Sequence, residues 1–373
     1  MTAFKVIGKP TFLGVLMVWT LLAGCNNSAV NIPPLPEGVP TASRLVVPDQ
    51  GIYTGAYIEA GRTEDQLTLE GIEGFEELVG KHQAIIASSS FWGENSFPTR
   101  NLEIIARHNA LPLIYWSPWS RPYEEKRGPD NTRLDNILAG KWDAYIDRWA
   151  DAAKAYNRTI LVSWGLEMNG DWFPWSGIFY DRLPVHPDWP KTQHPGPEYY
   201  RRTYRYVVDR VRARGANRIQ WVFHVNNATF PEVSWNQMAH YYPGPEYVDW
   251  LGLSAYGKQF HDATWLGFPQ VMENAYNELC RLDPGKPVIV AEWGVGEFPD
   301  SGNKAQWITE AFNAFKTKYP RIKAAVFWHE RWQNNDESYS NLRVNSSPEA
   351  LTAFQTAMRD PFYLGFPVTI EVR

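Results

Sequence analysis

The stretch TILVSWGLEMNGDWFPW, residues 159–175, decides how the chain is read: a short, nearly continuous apolar run ends in a carboxylate and is followed by three aromatic rings. Strands buried on both faces carry such unbroken runs, whereas half-exposed strands alternate apolar with polar residues. A second stretch, PVIVAEWG at residues 287–294, has the same form, with Glu292 in the position that Glu167 holds in the first. A carboxylate closing a buried strand is expensive unless it is paired or put to use.

Comparable runs rich in Val, Ile, Trp and Ala occur at 51–58, 83–91, 111–116, 219–225, 248–255 and 323–328. With 159–166 and 287–292 they make eight strand candidates. The segments between them carry helical spacing, as in 140–156, where Trp142, Tyr145, Ile146, Trp149, Ala153 and Tyr156 recur at intervals of three and four. Residues 198–214 do the same through Tyr200, Tyr204, Val207 and Val211, and 273–282 and 305–315 supply later helices with Pro284 and Pro320 just beyond their ends. Eight alternating βα units predict an α/β fold, a single (β/α)8 TIM barrel over residues 45–373, with an open doubly wound sheet as the other arrangement of the same units. In a barrel, the residues that follow the strands collect at one mouth.

That rule brings Glu167, after strand four, and Glu292, after strand seven, to one site. Two carboxyls so placed suit the cleavage of a glycosidic bond: one delivers a proton to the leaving oxygen, and the other attacks or stabilises the oxocarbenium-like carbon. Burial among aromatic rings and mutual repulsion would keep one of them protonated near neutral pH. The other strand ends add Phe91 and Trp92, Trp116 and Trp119, Tyr256, and Trp328, His329 and Trp332. With Trp172 and Trp175 they predict a cleft floored by sugar-stacking rings. Phe91 and Trp119 read equally well as plugs beneath the loops. Asn226, Asn227 and His224 follow strand five as candidate polar contacts, and His224 equally fits a satisfied core histidine.

Composition supports a neutral partner. Of 373 residues, 44% are hydrophobic, enough for a large core, and 15% are aromatic, including 18 Trp. The net charge of -5, without a basic stripe, excludes the usual footprint of a nucleic-acid binder. No ligand-spaced histidine pair stands at a strand end, so neither a metal nor another cofactor is expected. Nothing calls for a second subunit, and a monomer is the expectation.

The N-terminal residues read as an export signal, with Lys5 and Lys9 ahead of an apolar run at 12–22 that is too short to span a bilayer. The run closes on Leu22-Ala23-Gly24-Cys25, similar to a bacterial lipobox, which makes 1–25 a lipoprotein signal and Cys25 the lipidated residue. Residues 26–44, rich in Asn, Ser and Pro, read as a flexible tether. Asn26 in place of Asp implies the outer membrane, facing the periplasm or the cell surface. Only Cys280 would remain for a disulfide, so the fold must rest on its core.

The stretches EMNGDWFPW (167–175), YPGPEYVDW (242–250), EWG (292–294) and ILAGKWD (137–143) resemble glycoside hydrolase family 26, best known for endo-β-1,4-mannanases. The resemblance implies a retaining, endo-acting glycosidase with Glu167 as acid/base and Glu292 as nucleophile. It also implies that Tyr256 contacts the nucleophile and that Trp172 and Trp328 wall the central subsite. Two positions depart from the mannanase pattern: Leu166 stands where a His usually precedes the acid/base, and Ser254 where an Asp usually precedes the tyrosine. β-1,4-Mannan is the first expectation. A β-1,3/1,4-glucan, another β-1,3-linked polymer and a bacterial exopolysaccharide stay open beside it, as does a non-catalytic lipoprotein that only binds polysaccharide.

Overall fold

The computed structural model describes residues 43–61, 63–122, 128–184, 189 and 194–372. The export signal, Cys25 and most of the expected tether lie outside the described residues. Eight parallel strands, each almost wholly buried, form the central barrel: β1 (Ile52–Ile58), β2 (Ile85–Phe91), β3 (Leu111–Ser117), β4 (Ile160–Trp164), β5 (Ile219–Asn226), β6 (Trp250–Tyr256), β7 (Val288–Gly294) and β8 (Ile322–His329). Each pairs with the next in sequence, and β1 pairs with β8 from Tyr53↔Ala324 to Ile58↔His329, so the sheet closes into a barrel. All eight expected strands are present, with ends shifted by a few residues.

The helices that cover the barrel are α1 (Leu69–Val79), α2 (Thr99–Arg107), α3 (Asp143–Tyr156), α4 (Pro195–Ala213), α5 (Phe268–Leu282), α6 (Lys304–Thr317) and α7 (Pro348–Met358). Their ends carry ordinary signals: Thr68 accepts a hydrogen bond from the Gly71 amide at the start of α1, and Gly80, at φ 72°, closes it. One expected βα unit differs. Between β5 and β6 the described chain forms two 3₁₀ turns, Ser234–Asn236 and Met238–Tyr241, in place of an α-helix. Pro231, Pro243 and Pro245 withhold backbone donors there, which suits short turns better than a continuous helix.

Of the expected tether, 26–44, only the last two residues are described, and they belong to a strand. Ser43–Leu45 is a strand, antiparallel to Ile370–Val372, and it is docked on the barrel. The Ser43 hydroxyl lies 2.6 Å from that of Thr159, and the Leu45 amide donates to Gln220 Oε1 at 2.8 Å. Both partners stand just before or at the start of β4 and β5, so the segment covers the end of the barrel opposite the mouth.

Large aromatic residues fill the layer between barrel and helices. Trp116, expected at the mouth, turns outward instead: it is fully buried, stacks on Trp149 of α3 with ring centroids 4.0 Å apart, and its indole N–H donates to Tyr145 at 2.9 Å. Side chains alternate along a strand, so Tyr115 takes the inward place. Truncating a Trp packed this way leaves a large cavity, and Trp116→Ala is expected to lose about 3–5 kcal/mol of stability. Urea unfolding measures it; a loss below about 1 kcal/mol would contradict the outward packing of this ring.

Candidate active site

A cavity of about 360 Å³ opens at the C-terminal ends of the strands, and Glu167 and Glu292 both line it. Each carboxylate is positioned by a local irregularity. Glu167 follows β4 in the left-handed region, φ 54°, an uncommon and strained conformation for a side chain of this size. Its amide donates to the His224 carbonyl of β5 at 2.8 Å, which ties the turn to the neighbouring strand. The next residues are held in the same manner: the Trp175 indole donates to the Leu166 carbonyl at 2.6 Å, and Asn169 exchanges hydrogen bonds with the Asn226 backbone at 2.9 Å each way.

Glycine at 170 is required by what the turn presents. A Cβ there would lie 2.4 Å from the Trp172 ring, so only glycine lets the indole fold back across the backbone. From that place Trp172 Nε1 donates to Glu167 Oε2 at 2.7 Å.

Glu292 is aimed by a β-bulge. Along the β6–β7 ladder Leu253 faces Val290, but the next residue, Ser254, faces Glu292, so Ala291 is skipped. The carbonyl of the skipped residue accepts a hydrogen bond from the Tyr115 hydroxyl at 2.8 Å, which reaches it from β3 across the barrel. A bulge re-aims the side chain that follows it. Glu292 then accepts the Tyr256 hydroxyl at 2.9 Å.

Behind the carboxylates runs a buried polar chain. Ser163 Oγ lies 2.9 Å from His224 Nδ1, His224 Nε2 lies 2.8 Å from Ser254 Oγ, and Ser254 stands by the Glu167 carboxyl, where it lowers the pKa. All three links are inaccessible to solvent. Burial depresses His224 to a pKa of about 3, so the imidazole is neutral and serves one serine as donor and the other as acceptor.

Electrostatics set the two acids against each other. Burial raises the Glu167 pKa, and the hydrogen bonds from Ser254 and Trp172 oppose the rise. Burial also pushes Glu292 well up, with the charge of Glu167 adding to the shift and the Tyr256 hydrogen bond opposing it. Two buried carboxyls that repel each other hold one proton between them more readily than none.

Most residues singled out from the sequence meet here. Trp172, Tyr256, Trp328 and Asn226 line the cavity with the two glutamates, as do Phe91 and Trp119. Trp328 stacks on Tyr57 with centroids 3.7 Å apart, and its indole donates to Glu330 at 2.9 Å. Trp116 and Trp175 are corrections. Trp116 faces α3, and Trp175 is buried beneath the cleft, stacked on Phe173 at 4.6 Å with its N–H spent on Leu166. His224 belongs to the buried chain and not to the cavity wall.

Among the cleft residues not singled out from the sequence are Tyr115, Glu64 and Glu330. Tyr115 was hidden by its neighbour Trp116, and strand alternation alone could not say which of the two faces inward. Glu330, two residues past Trp328, repeats the signal of a carboxylate after an apolar strand. Glu64 has no such signal; it stands in the loop after β1 at φ 59°, and the Ser89 hydroxyl donates to it at 3.2 Å.

The hydrogen bonds to Glu167 favour its ionised form, so removing one should raise its pKa further. Carboxyl ¹³C NMR titration of Ser254→Ala and of Trp172→Phe is expected to move the Glu167 midpoint to higher pH in both. An unchanged or lower midpoint would show that these contacts do not hold the carboxylate.

Comparison with known proteins agrees with this geometry. The model of the glycosyl hydrolase family 26 matches residues 132–344, more than half of the chain and including both glutamates. Endoglucanase H of Acetivibrio thermocellus is 33% identical over 83% of this chain and 31% of its own length. Mannan endo-1,4-β-mannosidase of Bacillus subtilis is 29% identical over 65% of this chain and 58% of its own. The chain therefore spans about a third of the first relative and little more than half of the second. Among solved structures, the catalytic domain of the family 26 endo-β-1,4-mannanase of Bacillus sp. JAMB-750 superposes with a TM-score of 0.61 at 20% identity, covering 84% of this chain and 87% of that one, and it shares the barrel fold. With half the chain matched and the paired glutamates standing at the mouth of such a barrel, this protein belongs to glycosyl hydrolase family 26.

Proposed function

We propose that the protein is a retaining, endo-acting β-glycoside hydrolase of polysaccharides, with Glu292 as nucleophile and Glu167 as acid/base. The observation that carries this reading is the pair of buried carboxylates in one aromatic-walled cavity. Ser254, which lowers the Glu167 pKa, is the ladder partner of Glu292, and the charge of Glu167 is felt at Glu292, which supports a close pair. Direct attack calls for such closeness, about 5–5.5 Å between carboxyls.

In the first step Glu292 bonds the anomeric carbon while the bond to the glycosidic oxygen breaks and Glu167 gives that oxygen its proton. In the second, Glu167 takes a proton from water, whose oxygen bonds the anomeric carbon as Glu292 departs. Tyr256 remains protonated, because burial and the Glu292 charge push its pKa well up, and it can donate to Glu292 whenever that group is ionised.

The chain behind Glu167 suits a group that must alternate between acid and base. With Glu167 ionised, Ser254 donates to it and accepts from His224, and Ser163 donates to His224. With Glu167 protonated, the same three groups can run in the opposite sense, the imidazole changing tautomer, so neither state strands a buried polar atom.

β-1,4-Mannan is the substrate first supported, by the mannosidase relatives. A β-glucan is the second reading. It is favoured by Leu166, an apolar residue on the cavity wall, and by Ser254, which is wholly buried and engaged with Glu167 and His224. Neither offers the sugar a charged partner, and a loss of polar contacts changes which sugar is tolerated. We also propose that the mature protein is a lipoprotein acylated at Cys25, in the outer membrane.

Reducing-sugar release from β-mannan, mixed-linkage β-glucan and β-xylan decides the substrate. Glu292→Ala is expected to lose roughly 10⁴-fold or more of the activity, and Glu167→Gln about 10²–10⁴-fold. Equal traces from wild type and Glu292→Ala would leave only a binding protein. The alkaline limb of activity follows loss of the Glu167 proton, so Ser254→Ala should move that limb to higher pH. For the anchor, Cys25→Ala is expected to shift the protein from the membrane to the soluble fraction and to abolish palmitate labelling; labelling that survives the change would refute acylation at this residue.

A further inference from the structure

At the end of the barrel opposite the cleft, three side chains from separate parts of the chain converge. Glu76 stands in the last turns of α1, His82 in the loop between α1 and β2, and His108 directly after α2. Their ligating atoms all lie within 4.8 Å of one another. Glu76 Oε2 is 2.8 Å from His108 Nε2, and Glu76 Oε1 is 3.5 Å from His82 Nδ1. The two imidazoles lie almost parallel, with centroids 4.3 Å apart.

One carboxylate here stands within reach of two imidazoles, more than a single ion pair brings together. His108 is about nine-tenths buried, and its Nε2 lies 2.8 Å from Glu76 Oε2 without a hydrogen-bond partner. Hydrogen-bonded groups aim at each other. Groups gathered around a metal aim instead at a shared centre about 2.0–2.1 Å from each, and their donor atoms stand roughly 3.3 Å apart. Glu76 is further oriented by the Gln83 amide, which donates to Oε1 at 2.7 Å, the kind of support that ligating carboxylates carry.

We infer that Glu76, His82 and His108 form a binding site for a divalent transition-metal ion of the zinc class, with solvent completing the coordination. His82 is the adjustable member: 39% of its side chain is exposed, it sits in a loop, and its long 3.3 Å contact with the Gln83 carbonyl is given up by a turn of the ring. The neighbouring cation, Lys81, points away, its Nζ donating to the Tyr363 carbonyl at 2.5 Å. Because the site lies before β2 and β3, it is remote from the cleft, and its effect is to fasten the loop after α1 to the end of α2. Features at this end of a barrel bear on stability and not on chemistry. The inference is independent of the proposed hydrolase reaction.

The test uses tag-free full-length protein stripped with a chelator. Calorimetric titration with Zn²⁺ is expected to show one saturable site per chain, and the thermal midpoint should rise by roughly 5 °C at a hundredfold excess over the dissociation constant. Mg²⁺ should do neither. His82→Gln, on the exposed loop, is expected to keep the metal-free midpoint while losing the zinc response, and His108→Gln should lose it as well. Absence of saturable zinc uptake, or uptake undiminished in both variants, overturns the inference.

Discussion

Two carboxylates buried within one cavity repel each other and resist the loss of water, and the surrounding structure is arranged to make their closeness tolerable. Tyr256 supports Glu292; Trp172 and Ser254 support Glu167. Each donor offsets part of a desolvation penalty that would otherwise neutralise both acids or drive them apart. The supports come from β6 and from the turn after β4, so the pair can exist only where a closed sheet brings these segments together.

The barrel also stores the distortions that aim the two groups. A regular β7 would carry Glu292 in simple alternation, but the skipped Ala291 breaks that alternation, and Tyr115 satisfies the carbonyl there from the far side of the barrel. The left-handed backbone at Glu167 is held by the His224 carbonyl on one side and by the interlocked Asn169 and Asn226 on the other. Strain of this kind persists only where the neighbours over-determine it, and the layers of Trp and Tyr between sheet and helices supply the rigid backing.

Much of this was legible in advance because strands buried on both faces write themselves as apolar runs. The eight runs, the helices with periodic Trp and Tyr, and the carboxylates at the ends of 159–166 and 287–292 are local patterns. The β5–β6 connection departed from expectation because closely spaced prolines override any periodicity. That Ser43 and Arg44, at the end of the expected tether, join a strand could not be read locally, because that strand forms only against residues at the other end of the chain.

What the sequence determined by itself was which segments become strands and that two of them end in glutamate, since hydrophobic period and residue type are properties of neighbours along the chain. Only the tertiary structure decided that Tyr115 and not Trp116 looks into the cleft, that Trp175 lies beneath it, and that Ser163, His224 and Ser254 connect to Glu167. It alone gathered Glu76, His82 and His108. Those facts depend on sheet closure, a one-residue bulge and the direction of single side chains, and no spacing along the chain encodes a direction in space.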